Sequence, residues 1–174
     1  MAILDVVQYP GAVLARKASP VTAIQSRVIQ QQIDDMIETL HTLPGIGLAA
    51  PQIGQSNRIF VFDLSRQPGE VTPYQGPHVV INPEILKMEG EAVMDEGCLS
   101  VSGYRAQVKR ASFVLLSGSD RAGKTIELTG EGLVARLFQH EVDHLNGLLL
   151  IDRLSTLKKD IFLRRFKKEL KKGG

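Results

Sequence analysis

The segment His140-Glu141-Val142-Asp143-His144 constrains this chain more than any other stretch of it. Two histidines at i and i+4 point the same way from a helix and can grip one metal ion. The flanking residues fit a helix: Leu133, Leu137, His140, His144 and Leu148 form one stripe at helical spacing, with Arg136, Gln139, Asp143 and Asn146 on the other side. This places both histidines in the apolar, inward-facing stripe, and Asn146-Gly147 supplies a stop. Glu141 then lies beside the metal, where it can take a proton from a bound water, which is the chemistry of metal-assisted hydrolysis. The plainer reading is a pair of core histidines satisfied by backbone partners.

A catalytic metal needs a third protein ligand. The long pattern H-E-x-x-H-x-x-G-x-x-H fails here, because Gly147 matches but Leu150 stands where the last histidine belongs. Glu169 is the one glutamate downstream and lies in a lysine-rich tail; Asp152 and Asp160 are weak alternatives. Upstream stands the chain's single cysteine, Cys98, in Glu96-Gly97-Cys98-Leu99-Ser100. A thiolate with two imidazoles makes a sensible ligand set, although a lone cysteine is more often a small buried hydrophobe. A third segment, Gly45-Ile46-Gly47-Leu48-Ala49-Ala50-Pro51-Gln52-Ile53-Gly54, is small and nearly uncharged. Small residues let a substrate approach the backbone, and Gln52 can donate a hydrogen bond to a developing oxyanion. The loop lacks the Gly-Lys-Ser/Thr ending of a phosphate loop, and its plain reading is a turn after a helix.

Together the three segments resemble the peptide deformylase family, whose marks are a G-x-G-x-A-A-x-Q loop, an E-G-C-L-S segment and a Q-H-E-x-D-H-L helix in this order. Here they read Gly45 to Gln52, Glu96 to Ser100 and Gln139 to Leu145, and the opening with Tyr9-Pro10 and Ala18-Ser19-Pro20-Val21 is similar as well. The resemblance covers roughly residues 2 to 155. It implies that Cys98, His140 and His144 bind one divalent metal, Fe(2+) in the native state, with Zn(2+), Ni(2+) or Co(2+) as alternatives. It implies that Glu141 is general base and then general acid, and that Gln52 and the backbone N–H of Leu99 stabilise the oxyanion. The implied substrate is the N-formyl group on methionine at the start of new polypeptides, attacked by metal-bound water with release of formate. Ile46, Gly47 and Gly97 are similar to positions that meet the extended peptide, and Met94, Leu99, Leu133 and Leu137 to a methionine pocket. Arg105, a few residues beyond the cysteine, reads either as meeting the peptide backbone or its end or as a solvated or structurally paired arginine. One departure is visible: the family's C-L-S-x-P reads Cys98-Leu99-Ser100-Val101-Ser102, so serine stands where proline would stiffen the chain.

At 174 residues, 43% hydrophobic and 23% charged, the chain suits one soluble domain, a catalytic body over 1–157 with a basic amphipathic tail over 158–174. No apolar run reaches membrane-spanning length, and the start carries no secretory signal. One cysteine excludes an internal disulfide and fits a reducing cytoplasm, while an organelle form stripped of a transit peptide stays open. The net charge of +2 hides an asymmetry: Lys158 to Lys172 holds eight bases and two acids, which leaves the remainder negative. Phe162, Leu163, Phe166 and Leu170 give that tail an apolar side, so it reads as a helix packed on the body with a solvated basic face. The sharper reading, favoured by the resemblance, is a ribosome anchor; membrane-surface binding is weaker, and no DNA partner is expected.

A first helix is expected over Thr22 to Leu43, with Ile29, Ile33, Met36, Ile37 and Leu40 facing inward. Strands are expected at Arg58 to Leu64, His78 to Ile81, Arg105 to Lys109, Phe113 to Ser117 and Thr125 to Leu128. A loop is expected over 66–77 and a hairpin turn over Asp120 to Lys124. This order predicts an α+β fold, with antiparallel β-sheets packed around a central H-E-x-x-H helix, an N-terminal helix and a basic C-terminal helix. His41 and His78 have no motif context and read as structural. Competing functions are another small metallohydrolase, such as a peptidase, and a non-catalytic protein in which the same ligands hold a structural metal and the basic tail binds RNA or ribosomes.

Overall fold

Five consecutive buried residues, Ile59 to Asp63, form a strand of the computed structural model, and a strand buried on both faces needs a layer on each side. The structure describes residues 2–65, 67 and 72–170, with side chains through Lys168. Chain order runs α1 (Arg27–Thr42), β1 (Gly47–Ala49), β2 (Ile59–Asp63), β3 (Pro77–Glu89), β4 (Ala92–Gly97), β5 (Arg105–Arg110), β6 (Phe113–Ser119), β7 (Thr125–Glu131), α2 (Gly132–Leu145) and α3 (Thr156–Leu170). Every strand pair is antiparallel: one sheet has the order β1-β2-β3-β6-β7, and β4-β5 stand apart as a two-stranded ribbon. The α+β expectation is met.

Alternation along β2 divides the core. Ile59 and Val61 belong with Ile29, Ile33, Met36 and Leu40 of α1. Phe60 and Phe62 belong with Ala135, Leu137, Phe138, Val142 and Leu145 of α2. The main sheet therefore lies between the two helices, and α2 is covered again on its far side by β4-β5. That cover overturns one expectation. Arg136, Gln139 and Asp143, placed opposite the inward stripe, are themselves buried, because the ribbon and Ala111 just beyond it supply ionic and hydrogen-bonding partners for them. The helix ends at Asn146, followed by Gly147 at a φ of 75°.

Other boundaries shift for local reasons. The first helix starts at Arg27 rather than Thr22, with Ser26 Oγ accepting the Ile29 N–H at its entry. β3 runs well past Ile81. Pro83 interrupts its ladder, Asn82 takes a φ of 52°, and the register against β6 shifts between Ile81 and Glu84. β1 and β4 were not anticipated: one is a three-residue Gly-Leu-Ala strand, and the other exposes Val93 and Met94 while burying Glu96. The 120–124 turn is present, closed by the Asp120 N–H to the Lys124 carbonyl. Of the expected 66–77 loop, residues 66 and 68–71 lie outside the described residues, as do tail residues 171–174 and the Leu170 side chain.

The tail helix is docked. Phe162 is buried among Leu14, Val101, Leu150 and Ile151, and its ring meets Tyr9 and Tyr104 at centroid distances of 5.7 and 4.6 Å. No described helix is long and apolar enough to cross a membrane. Phe138, with no exposed surface, is ringed by Phe60, Phe62 and Tyr74 at 5.6–6.4 Å. Phe138→Ala is expected to remove about 3–5 kcal/mol of stability. The check is a lower urea midpoint at an unchanged m-value.

Candidate metal centre

Cys98 follows the last residue of β4, and His140 and His144 sit one turn apart on α2, so the ribbon and the helix meet at these three side chains. Among the described residues they form the cluster able to hold a metal, with all ligand atoms within 4.8 Å of one another. His140 Nε2 and His144 Nε2 are 3.1 Å apart, and Cys98 Sγ is 3.3 Å from His144 Nε2. Tetrahedral coordination at ordinary bond lengths separates two nitrogens by about 3.4 Å and nitrogen from sulfur by about 3.6 Å. The two separations at His144 Nε2 fall a few tenths of an ångström short of these values. Of the downstream alternatives, Asp152 is engaged by the Leu149 N–H and Lys159.

Glu96 fixes the direction of the first histidine. Its carboxylate is 2.7 Å from His140 Nδ1, so Nδ1 donates and Nε2 faces the cluster, carrying a lone pair when the ring is neutral. The same carboxylate accepts from Arg110 at 3.0 and 2.6 Å and from Arg136 at 2.7 Å, all of them buried. Arg110 also reaches Asp143 at 2.6 Å, and Asp143 takes Arg153 as well. Burial alone would raise the Glu96 pKa, but hydrogen bonds from His140 and Arg110 and their charges hold it far below the usual carboxylate range. Desolvation pulls His140 down, yet Cys98 and Glu96 outweigh it and push His140 well above its ordinary value. His144, desolvated and beside His140, falls well below.

Glu141 is in the opposite situation from Glu96. It is 2% exposed, and its Oε2 is buried without a hydrogen-bond partner. Burial raises its pKa from 4.5 to about 7, with His140 opposing and Glu96 assisting that shift. Gly47 makes room for it. A Cβ there would come within 2.5 Å of Leu137 Cδ1 and 3.0 Å of Glu141 Cδ, so no side chain fits. Gln52 is held with its NH₂ toward the cluster: Oε1 accepts from the Ala49 N–H at 2.9 Å, while Nε2 donates to Ser100 Oγ at 3.3 Å and lies 3.8 Å from Cys98 Sγ.

The structure thus gathers Cys98, His140, His144, Glu141, Gln52, Gly47 and Leu137, with Leu99 packed against the α1 side of the core. The Ile46 carbonyl is engaged by the Asp63 N–H at 2.9 Å. Arg105 covers Gly97 and pairs with Asp95 while its side chain stays 65% exposed. Met94 remains at the surface of β4, and Leu133 is half-buried at the edge of the α2 core. His41 pairs with Asp63 and His78 stacks on Phe62, so both are structural. A larger cleft of about 890 Å³, lined by Arg58, Met88, Lys109 and Arg153 among others, contains none of the cluster residues. Sequence reasoning gave no role to Glu96, although an acid two positions before Cys98 in a strand shares its face. Arg110, Arg136 and Arg153 carry no local signal.

Comparison with known proteins identifies the family. A family model described as polypeptide deformylase matches residues 3–160. A peptide deformylase of Thermodesulfovibrio yellowstonii is 48% identical over 96% of this chain and 98% of its own. One from Syntrophobacter fumaroxidans is 48% identical over 99% of each chain. The crystal structure of a Legionella pneumophila peptide deformylase superposes with a TM-score of 0.86 at 41% identity, over 98% of this chain and 96% of that one. An Ehrlichia chaffeensis peptide deformylase in complex with actinonin gives a TM-score of 0.88 at 34% identity, over 97% and 98%. The chain belongs to the polypeptide deformylase family, and so is a hydrolase of formylated polypeptides.

Proposed function

We propose that Cys98, His140 and His144 hold a divalent ion beside which Glu141 directs removal of the formyl group from N-formylmethionine on newly made polypeptides. The observation that carries this reading is the buried, unpartnered Glu141 oxygen next to three convergent ligand atoms. Bound there, the ion would act as a Lewis acid and bring the pKa of water toward neutrality. A buried carboxyl with an unpartnered oxygen beside the ligand atoms is suited to take the proton of the attacking water and return it to the departing amine. The Gln52 NH₂ and the Leu99 N–H donate to the oxyanion that develops on the formyl carbon's oxygen.

β1 and β4 each lie at a sheet edge, one carrying Gly47 and the other ending at Gly97. An extended peptide between these edges would use strand-type hydrogen bonds near Ile46 and Gly97. Leu137, Leu133, Leu99 and Met94 would surround the methionine side chain, and Arg105 would meet the peptide farther on. Fe(2+) is the proposed native metal, with Zn(2+), Ni(2+) or Co(2+) able to occupy the same donors. The exposed Lys158, Arg164, Arg165, Lys167 and Lys168 of α3 form a basic face for docking at the ribosome in the cytoplasm.

Anaerobic turnover of a short N-formylmethionyl peptide should release formate in proportion to bound metal; metal-loaded, folded protein without turnover would overturn the reading. Glu141→Ala is expected to keep its metal and lose about 10²–10⁴ in kcat, whereas unchanged turnover removes Glu141 from the mechanism. Cys98→Ala should lower metal content, and full occupancy would refute that ligand. Glu96→Gln, which weakens the acceptor at His140, should weaken metal affinity by about 10- to 100-fold in a chelator competition.

Glu141 also marks the pH dependence of the metal-free protein. Its folded pKa of about 7 exceeds the ordinary 4.5, so the folded state binds the proton more tightly. Stability should fall as pH rises between those values, by an amount on the order of 3 kcal/mol. Urea titrations of chelated protein across that window should show a flatter slope for Glu141→Gln than for wild type; equal slopes would assign the effect elsewhere.

A further inference from the structure

We propose that Gln8 is a positioning residue that locks the Leu99 segment in its oxyanion-binding conformation, replacing the stiffness that proline would give at position 102. The proposal rests on the reading of the Leu99 N–H as an oxyanion donor. Residues Val101 to Tyr104 form a turn closed by the Tyr104 N–H to the Val101 carbonyl at 3.3 Å. Its third residue, Gly103, has a φ of 73°, the type II arrangement, in which proline is favoured at the second position. That second position is Ser102, whose φ is free to vary where proline's is fixed.

Gln8 supplies a tie across this stretch. Gln8 Oε1 accepts from Ser102 Oγ at 2.8 Å and from the Ser102 N–H at 3.4 Å. Gln8 Nε2 donates to the Leu99 carbonyl at 2.9 Å. One amide therefore ties the two ends of the four-residue span from Leu99 to Ser102. The Tyr9 N–H adds a bond to the Ser100 carbonyl at 2.8 Å, and the Tyr9 ring is seated against Phe162 and Phe166. Gln8 thus projects from an anchored backbone.

The tie reaches the proposed oxyanion donor through peptide geometry. The Leu99 N–H and the Cys98 carbonyl share one peptide plane. That carbonyl accepts the Val101 N–H at 3.0 Å, inside the span that Gln8 closes. If Leu99 to Ser102 relaxes, the plane that carries the Leu99 N–H can turn. A small misdirection at such a donor lowers the rate without removing any group from the site.

The test measures kcat, KM and metal content of the metal-loaded enzyme on a formylmethionyl peptide, with hydrogen exchange over residues 98–104. The variants are Gln8→Met, Gln8→Glu, Ser102→Pro and the double Gln8→Met/Ser102→Pro. Gln8→Met keeps length and makes neither hydrogen bond; kcat should fall about 10-fold while KM and metal content hold, and exchange over the segment should quicken. Gln8→Glu keeps an acceptor for Ser102 but loses the donor to Leu99, so its kcat should fall too; it also serves if Gln8→Met folds poorly. Ser102→Pro suits a type II turn, and Asn82 is the one described non-glycine residue with positive φ, so position 102 lies on proline's side. In the Gln8→Met background it should restore most of kcat and slow the exchange again. Unchanged kcat in both Gln8 variants, a loss that tracks metal content, or no recovery with proline would each overturn the clamp. Wild-type enzyme that releases no formate would instead overturn the deformylase mechanism, leaving the exchange data to show whether Gln8 orders the segment.

Discussion

The carboxylate of Glu96 is the point on which the rest of this structure depends. It is a 5% exposed charge enclosed by Arg110, Arg136 and His140, and these partners join the β4-β5 ribbon to α2. A buried charge survives only when its partners are present; removing one commonly costs about 3–5 kcal/mol because the others are left unpaired. An apolar cluster of the same volume could hold ribbon and helix together as well. It could not accept a hydrogen from His140 Nδ1 and so turn Nε2 toward Cys98 and His144. The ionic core is therefore a device of orientation more than of stability.

The two acids of this region show how environment divides similar groups into different tasks. Glu96 is surrounded by cations and stays ionised; Glu141, a short distance away on the same helix as His140, is left with an unpartnered oxygen and titrates near neutrality. One is fixed as a strut, and the other, in the proposed mechanism, carries the proton. Gly47, by giving Glu141 room without contact from a side chain of its own, is part of the same division.

Much of this was legible in the sequence where the signal is local. His140, Glu141 and His144 are read from helical spacing, Cys98 and Gln52 from short motifs, and the α1 face from periodicity. What escaped depends on partners distant in the chain. Arg136 and Asp143 lie opposite the histidine stripe and would be solvated on an isolated amphipathic helix; only the ribbon, paired through residues far upstream, makes them interior. β1 is too short to carry a period, and β4 is an edge strand whose Val93 and Met94 remain at the surface. The tie between Ser102 and Gln8 escaped for the same reason, the two lying more than ninety residues apart.

The seat of Tyr9 has a consequence for the order in which the molecule can be completed. Its ring rests on Phe162 and Phe166, while its neighbour Gln8 and its own N–H hold the segment after Cys98. The contact closes a chain loop of about 150 residues, among the longest this sequence can make, and closures of that kind form slowly because so much chain must be ordered first. During folding, the residues around Tyr9 reach their final place only once α3 has formed. The segment after Cys98 is therefore among the last parts of the fold to settle.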